Sequence, residues 1–183
     1  RNTAKAMGIS MEQMPTWNPR KPLGGHTAGE LQDAKVLLWH GFCSVHKRFT
    51  VAQINQAREQ HPGVKVIVHP EAPMPVVDAA DAYGSTDRIR RYVAASEPGD
   101  VIAIGTEVNM VNRLAAEYPD RTIFCLDPVV CPCSTMYRIH PGYLAWVLDG
   151  LVEGEVRNEI VVDDDIARDA KVALEGVLAA PRQ

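Results

Sequence analysis

The sequence predicts an α/β fold, a three-layer α-β-α domain on a parallel sheet, and three observations predict it. Short apolar runs recur at 36–39, 66–68, 101–104 and 122–126. The run at 66–68 follows turn-forming Pro62 and Gly63 and is too short for a helix, so it reads as a buried parallel strand. Helical patterns at 50–61, 87–95 and 107–117 alternate with these runs, which calls for a sheet covered on both faces. The residues with chemistry follow the strands, and ligands of open α/β sheets bind beyond the carboxyl ends of strands.

Taken in order, residues 1–8 look like the middle of a folded segment, so an amino-terminal part is expected to be missing. Residues 7–29 carry Pro15, Pro19, Pro22, Gly24 and Gly25 and read as an ordered loop, with Trp17 to bury. The strand at 36–39 runs into 41–46 and places Cys43 just past its end. Thr50 and Gln53 have capping-box spacing, Val51 and Ile54 share a face, and Gly63 lies beyond the end of that helix. After 66–68 come His69, Pro70 and Glu71. Pro73 and Pro75 break the strand, and 76–82 reads as a short helix.

Gly84, Ser85 and Thr86 sit where the next helix begins, with hydroxyls and backbone amides suited to a carboxylate or phosphate. Ile89 and Val93 stand four apart on the helix at 87–95. The strand at 101–104 leads to Gly105, Thr106 and Glu107, and the helix at 107–117 turns Val111, Leu114 and Ala115 inward. Residues 129–136 form a loop with Cys131 and Cys133. Pro141 opens a helix with Leu144, Val147, Leu148 and Leu151 at i, i+3, i+4 and i+7. A short strand is expected at 159–162. Asp163 then caps a last helix carrying Ile166, Ala170, Leu174 and Val177. No internal repeat is visible.

Composition bounds the function. Hydrophobic residues at 46% and charged residues at 23% fit a globular chain of 183 residues. A net charge of -4 offers no basic field for nucleic acid. No apolar stretch approaches the roughly 20 residues of a membrane helix, and no signal peptide is visible. The four cysteines, Cys43, Cys125, Cys131 and Cys133, form no Cys-x-x-Cys pair, so a zinc knuckle is not indicated. The cytoplasm is the expected compartment, where thiols stay reduced as buried hydrophobes, metal ligands or nucleophiles.

Four strand-end turns can converge: that of Cys43, that of His69 and Glu71, that of Thr106 and Glu107, and that of Cys131 and Cys133. Thiolates, an imidazole and carboxylates on one edge suggest a metal site with acid–base help. The competing explanation is a set of structural cysteines, a satisfied strand-end histidine and a simple N-cap at Ser85.

Five ordered segments then carry a resemblance: W-H-G-F-C-S-V-H (39–46), V-H-P-E (68–71), G-S-T (84–86), I-G-T-E (104–107) and C-S-T-M (133–136). With them the chain resembles the quinolinate synthases, iron–sulfur enzymes of NAD biosynthesis, and covers about the last three-fifths of a member. The resemblance implies three similar α-β-α domains in a pseudo-threefold arrangement. Residues 1–43 would end the second domain, 44–135 form the third, and 136–183 supply C-terminal helices and a closing strand.

It also implies condensation of iminoaspartate with dihydroxyacetone phosphate to quinolinate, with L-aspartate oxidase or dehydrogenase upstream. It implies a [4Fe–4S] cluster on three cysteines, with Cys43 and Cys133 matching two and the third outside this chain. His69 and Glu71 match catalytic, substrate-contacting residues, and Ser85 and Thr86 match residues that hold a substrate anion. The isolated fragment would be inactive. Ala72 departs from the pattern, since many relatives have Cys there. The alternative from another class is a non-catalytic module that binds a small anionic metabolite.

Overall fold

A computed structural model describes residues 1–129 and 133–179. Its contacts divide into two units, Arg1–Met136 and Tyr137–Gln183. Among the described residues, no helix is long and apolar enough to cross a membrane.

The first unit begins with helix α1 (Asn2–Ala6). Strand β1 (Thr16–Trp17) pairs in parallel with β2 (Leu38–Trp39), Thr16 against Leu38 and Trp17 against Trp39. The loop expected at 7–29 therefore holds a strand, and the strand expected at 36–39 shrinks to two residues. Gly24 is required beneath Trp17: its φ is 67°, and a Cβ there would lie 2.5 Å from the indole. Helix α2 (Ala28–Asp33) starts at a capping box of Thr27 and Glu30.

The main sheet has four parallel strands in the order β4-β3-β5-β6. They are β3 (Lys65–Val68), β4 (Ala82–Tyr83), β5 (Val101–Gly105) and β6 (Thr122–Cys125). Helices α3 (Val51–Gln60) and α4 (Met74–Ala79) pack on one face through Ile54, Ala57, Val76 and Val77 against Val66, Val68 and Ala103. Helices α5 (Thr86–Ala94) and α6 (Val108–Glu117) pack on the other, where Ile89, Val93, Val111 and Leu114 meet Ile67, Ile102 and Ile104. Alternate residues of β3 and β5 thus fill opposite cores, and the three-layer α-β-α arrangement follows from that two-residue period. The Thr50–Gln53 capping box forms as expected.

Residues 74–83 depart from expectation. The helix expected at 76–82 starts and ends earlier, and residues 82–83 become an edge strand. Asp81 explains the change. Its N–H donates to Val66 O at 3.0 Å, and its carboxylate accepts from Val66 N–H at 2.7 Å. This side-chain bridge extends the β3 ladder and peels the chain off the helix into pairing of Ala82 with Ile67. Pro75 lies in the first turn of α4, where a missing N–H costs nothing.

The second unit contains α7 (Pro141–Val152) and α8 (Asp164–Ala179). Pro141 opens α7 after His140, whose ring accepts from Gly142 N–H at 3.1 Å. Gly150 is buried because Arg157 lies over it, donating to Trp146 O at 3.1 Å. The strand expected at 159–162 is absent. Ile160 and Val161 are exposed and meet no hydrogen-bonding neighbour strand among the described residues, without which an extended segment is not a strand. Leu144, Leu148 and Leu151 of α7 and Ile166, Leu174 and Val177 of α8 are exposed as well.

Candidate functional site

Because the sheet is parallel, the turns after β3, β4, β5 and β6 all emerge at one edge. The edge is closed by His69 N–H donating to Gly105 O at 2.9 Å and Gly84 N–H donating to Val68 O at 3.1 Å. Leu126 N–H continues it with a 2.9 Å bond to Ile104 O.

His46 is the hub of this edge, buried to 9% exposure. Its Nδ1 lies 2.9 Å from Glu71 Oε2 and its Nε2 3.2 Å from Thr106 Oγ1. A carboxylate only accepts, so Nδ1 carries a proton toward Glu71, and Nε2 shares a hydrogen bond with the Thr106 hydroxyl. The His69 ring stacks on His46, with centroids 4.2 Å apart and planes 10° apart. His69 Nδ1 accepts from Glu71 N–H at 3.3 Å. In a neutral His69 ring the proton is then on Nε2. Burial, and secondarily the neighbouring His46 ring, hold the His69 pKa below the ordinary histidine value, against the opposing pull of Glu71. That shift favours the neutral His69 ring.

Cys43 reaches the same place by local geometry. Lys47 N–H donates to Cys43 O at 3.0 Å, so residues 43–47 make one helical turn. Residues three apart on such a turn share a side, which brings the Cys43 thiol beside the His46 ring. One ligand atom each from Cys43, His46 and Glu71 lie within 4.8 Å of one another, a set able to hold a metal ion. Glu71 itself is exposed, with 58% of its side chain accessible, while His46 and Ala72 beside it are buried and His69 is half-buried.

The other expected residues are placed as follows. Ser85 and Thr86 are exposed at the start of α5, beyond β4, and Ser85 Oγ accepts from Arg88 N–H as the N-cap. Cys133 is half-buried, with its sulfur 3.5 Å from Met136 N. It is not part of the Cys43 group among the described residues, and Cys131 lies outside them. Glu107 is buried and fully used as the cap of α6, accepting from Asn109 N–H, Asn109 Nδ2 and Met110 N–H. Cys125 is packed under the edge, its thiol pKa raised by burial. His46 was not among the residues singled out from sequence, although its place three after Cys43 was a usable signal.

Fold and site together define a metal-competent α/β protein whose sheet edge joins a thiol, two stacked imidazoles and a carboxylate. The chain belongs to the family described as quinolinate synthetase A protein, whose model matches residues 3–179. It is 68% identical over 179 residues to the quinolinate synthase of Corynebacterium glutamicum, covering 98% of this chain and 45% of that one. It is 46% identical over 180 residues to that of Rhodopirellula baltica, covering 98% of this chain and 46% of the relative. To that of Streptomyces coelicolor it is 48% identical over 184 residues, covering 99% and 47%. The chain thus spans a little under half the length of these relatives, less than the three-fifths expected from its motifs.

Proposed function

We propose that this chain is the part of a quinolinate synthase that carries its proton-transfer groups and two of its three cluster cysteines. The whole enzyme condenses iminoaspartate with dihydroxyacetone phosphate to quinolinate, with loss of phosphate and two waters. Iminoaspartate comes from an L-aspartate oxidase or dehydrogenase. On this reading residues 1–43 complete the second of three pseudo-threefold α-β-α domains, 44–135 are the third, and 136–183 close the structure.

The observation that carries the proposal is the meeting of Cys43, His46, Glu71 and His69 at one sheet edge. Cys43 and Cys133 are half-buried thiols in no disulfide, a donor type that suits iron. They would hold a [4Fe–4S] cluster with a third cysteine from outside this chain. Such a cluster supplies a Lewis acid through its iron that lacks a protein ligand.

The chain's own groups do the rest. Glu71 is exposed to a substrate yet oriented by His46, so its carboxylate is the base that removes substrate protons. Neutral His69 presents Nε2–H as a donor to a leaving or polarised oxygen. Ser85 and Thr86, with the free N–H groups at the start of α5, hold a carboxylate or phosphate without adding a competing base. The test is anaerobic reconstitution of the complete enzyme with iron and sulfide. A brown chromophore together with quinolinate formation is expected. A complete enzyme that takes up no iron would overturn the proposal.

A further inference from the structure

The Glu71 turn is held from a distant part of the chain. Asn2, at the start of α1, is buried to 8% exposure. Its Nδ2 donates two hydrogen bonds of 2.8 Å, one to Pro70 O and one to Ala72 O. These carbonyls belong to the residues on either side of Glu71. A carboxamide nitrogen has two N–H groups, and Asn2 spends both here. The clamp spans 68 and 70 residues of sequence. Beside it, at the exposed end of the same helix, Lys5 pairs with Asp78 at 2.9 Å.

From this geometry we infer that Asn2 is a positioning residue for Glu71: its amide locks the 70–72 turn so that the Glu71 carboxylate meets His46. The inference rests on the role given to Glu71 above. The turn has two bonds of its own, Ala72 N–H to His69 O at 3.0 Å and Glu71 N–H to His69 Nδ1 at 3.3 Å, both to the one residue His69, and the Glu71 side chain is the exposed tip of a short loop. Without the clamp, two inward carbonyls lose their donors and the loop gains freedom at the carbonyls flanking the carboxylate. A base displaced by about 1 Å loses on the order of 10²-fold in rate, because proton transfer depends on alignment. Asn2 touches no substrate on this account. Its effect falls on kcat and leaves KM for iminoaspartate largely unchanged.

The experiment is a double-mutant cycle in the cluster-loaded enzyme that carries this sequence. Asn2→Asp keeps the size but replaces the donating amide with a group that repels both carbonyls. We expect kcat to fall about 10- to 100-fold with iron content and KM retained. Placed on Glu71→Gln, the same change should add less than about twofold, because a clamp that acts only through Glu71 has nothing left to position. Lys5→Ala removes the neighbouring exposed pair and should leave kcat unchanged.

Equal losses from Asn2→Asp in both backgrounds would overturn the inference and make Asn2 a merely structural residue. If Glu71→Gln alone leaves turnover normal, the role of Glu71 fails first, and that outcome is separate. Should Asn2→Asp not fold, Asn2→Ser retains one donor of the two. It must then give a smaller kcat loss that also vanishes on Glu71→Gln, and a loss that persists there overturns the inference equally.

Discussion

Glu71 and His46, 25 residues apart in sequence, meet through a 2.9 Å contact between Oε2 and Nδ1. The two come from turns that follow strands of different sheets, β2 and β3, so the contact forms only when β3 and the 43–47 turn are both in place. It orients an exposed carboxylate with a buried ring, which is how a base can be both accessible and aimed.

Removing the Glu71 carboxylate should leave the fold intact. Glu71→Gln keeps the size and one acceptor oxygen. In the complete enzyme the variant should retain its iron while turnover falls roughly 10²-fold or more. Turnover close to normal would take Glu71 out of proton transfer.

Gly105 ends β5 directly against Val68. A Cβ there would lie 2.7 Å from Val68 Cγ1 and 3.5 Å from Val68 Cα. Val68 is fully buried and its side chain has little room to turn. Gly105→Ala should destabilise the chain by about 1–3 kcal/mol in chemical denaturation, the usual cost of overpacking. An unchanged midpoint would mean that the edge yields more freely than its packing suggests.

The helix cap offers a second stability test. Thr50 Oγ1 accepts from Gln53 N–H at 3.2 Å while Gln53 Oε1 accepts from Thr50 N–H at 2.9 Å. Thr50→Ala removes one half of the box and should cost about 1 kcal/mol. The same loss should not appear for Thr50→Ser, which preserves the acceptor.

Lys65 and Asp100 form a 2.5 Å pair across the lower ends of β3 and β5. Hydrogen bonding to Lys65, then to Glu97 N–H, lowers the Asp100 pKa, and Asp100 in turn raises that of Lys65. A lowered carboxyl pKa contributes stability that is present above the ordinary carboxylate range and lost as pH falls through the folded value. A raised ammonium pKa contributes stability below the ordinary lysine range that is lost as pH rises through its folded value. Asp100→Asn should therefore unfold at a lower temperature than the parent at pH 7, with the gap closing in acid. A gap of constant size from neutral to acid pH would contradict the assignment.

Much of this was legible from the chain alone, because the signals are local. The β3 run, the Thr50–Gln53 box and the i, i+3, i+4, i+7 stripe of α7 each depend on residues close in sequence. His69 and Glu71 could be placed at a strand end for the same reason. What escaped depends on distant partners. Ala82 and Tyr83 are a strand only because Asp81 bridges to Val66. Thr16 and Trp17 are one only because Leu38 and Trp39 lie alongside. His46 becomes a hub through Thr106, 60 residues away, a pairing no spacing rule announces.

On the proposed function, Cys43 and Cys133 are cluster ligands in an active quinolinate synthase. The most direct measurement is iron content and quinolinate formation after anaerobic reconstitution, in the complete enzyme and in its Cys43→Ser and Cys133→Ser variants. The parent should hold about four irons per chain and make quinolinate. Both variants should lose the stable cluster and quinolinate formation. For the same physical reason the isolated 183-residue chain, with two of the three ligands, should hold no stable cluster. Variants that keep about four irons per chain and make quinolinate at the parental rate would contradict the assignment of both cysteines.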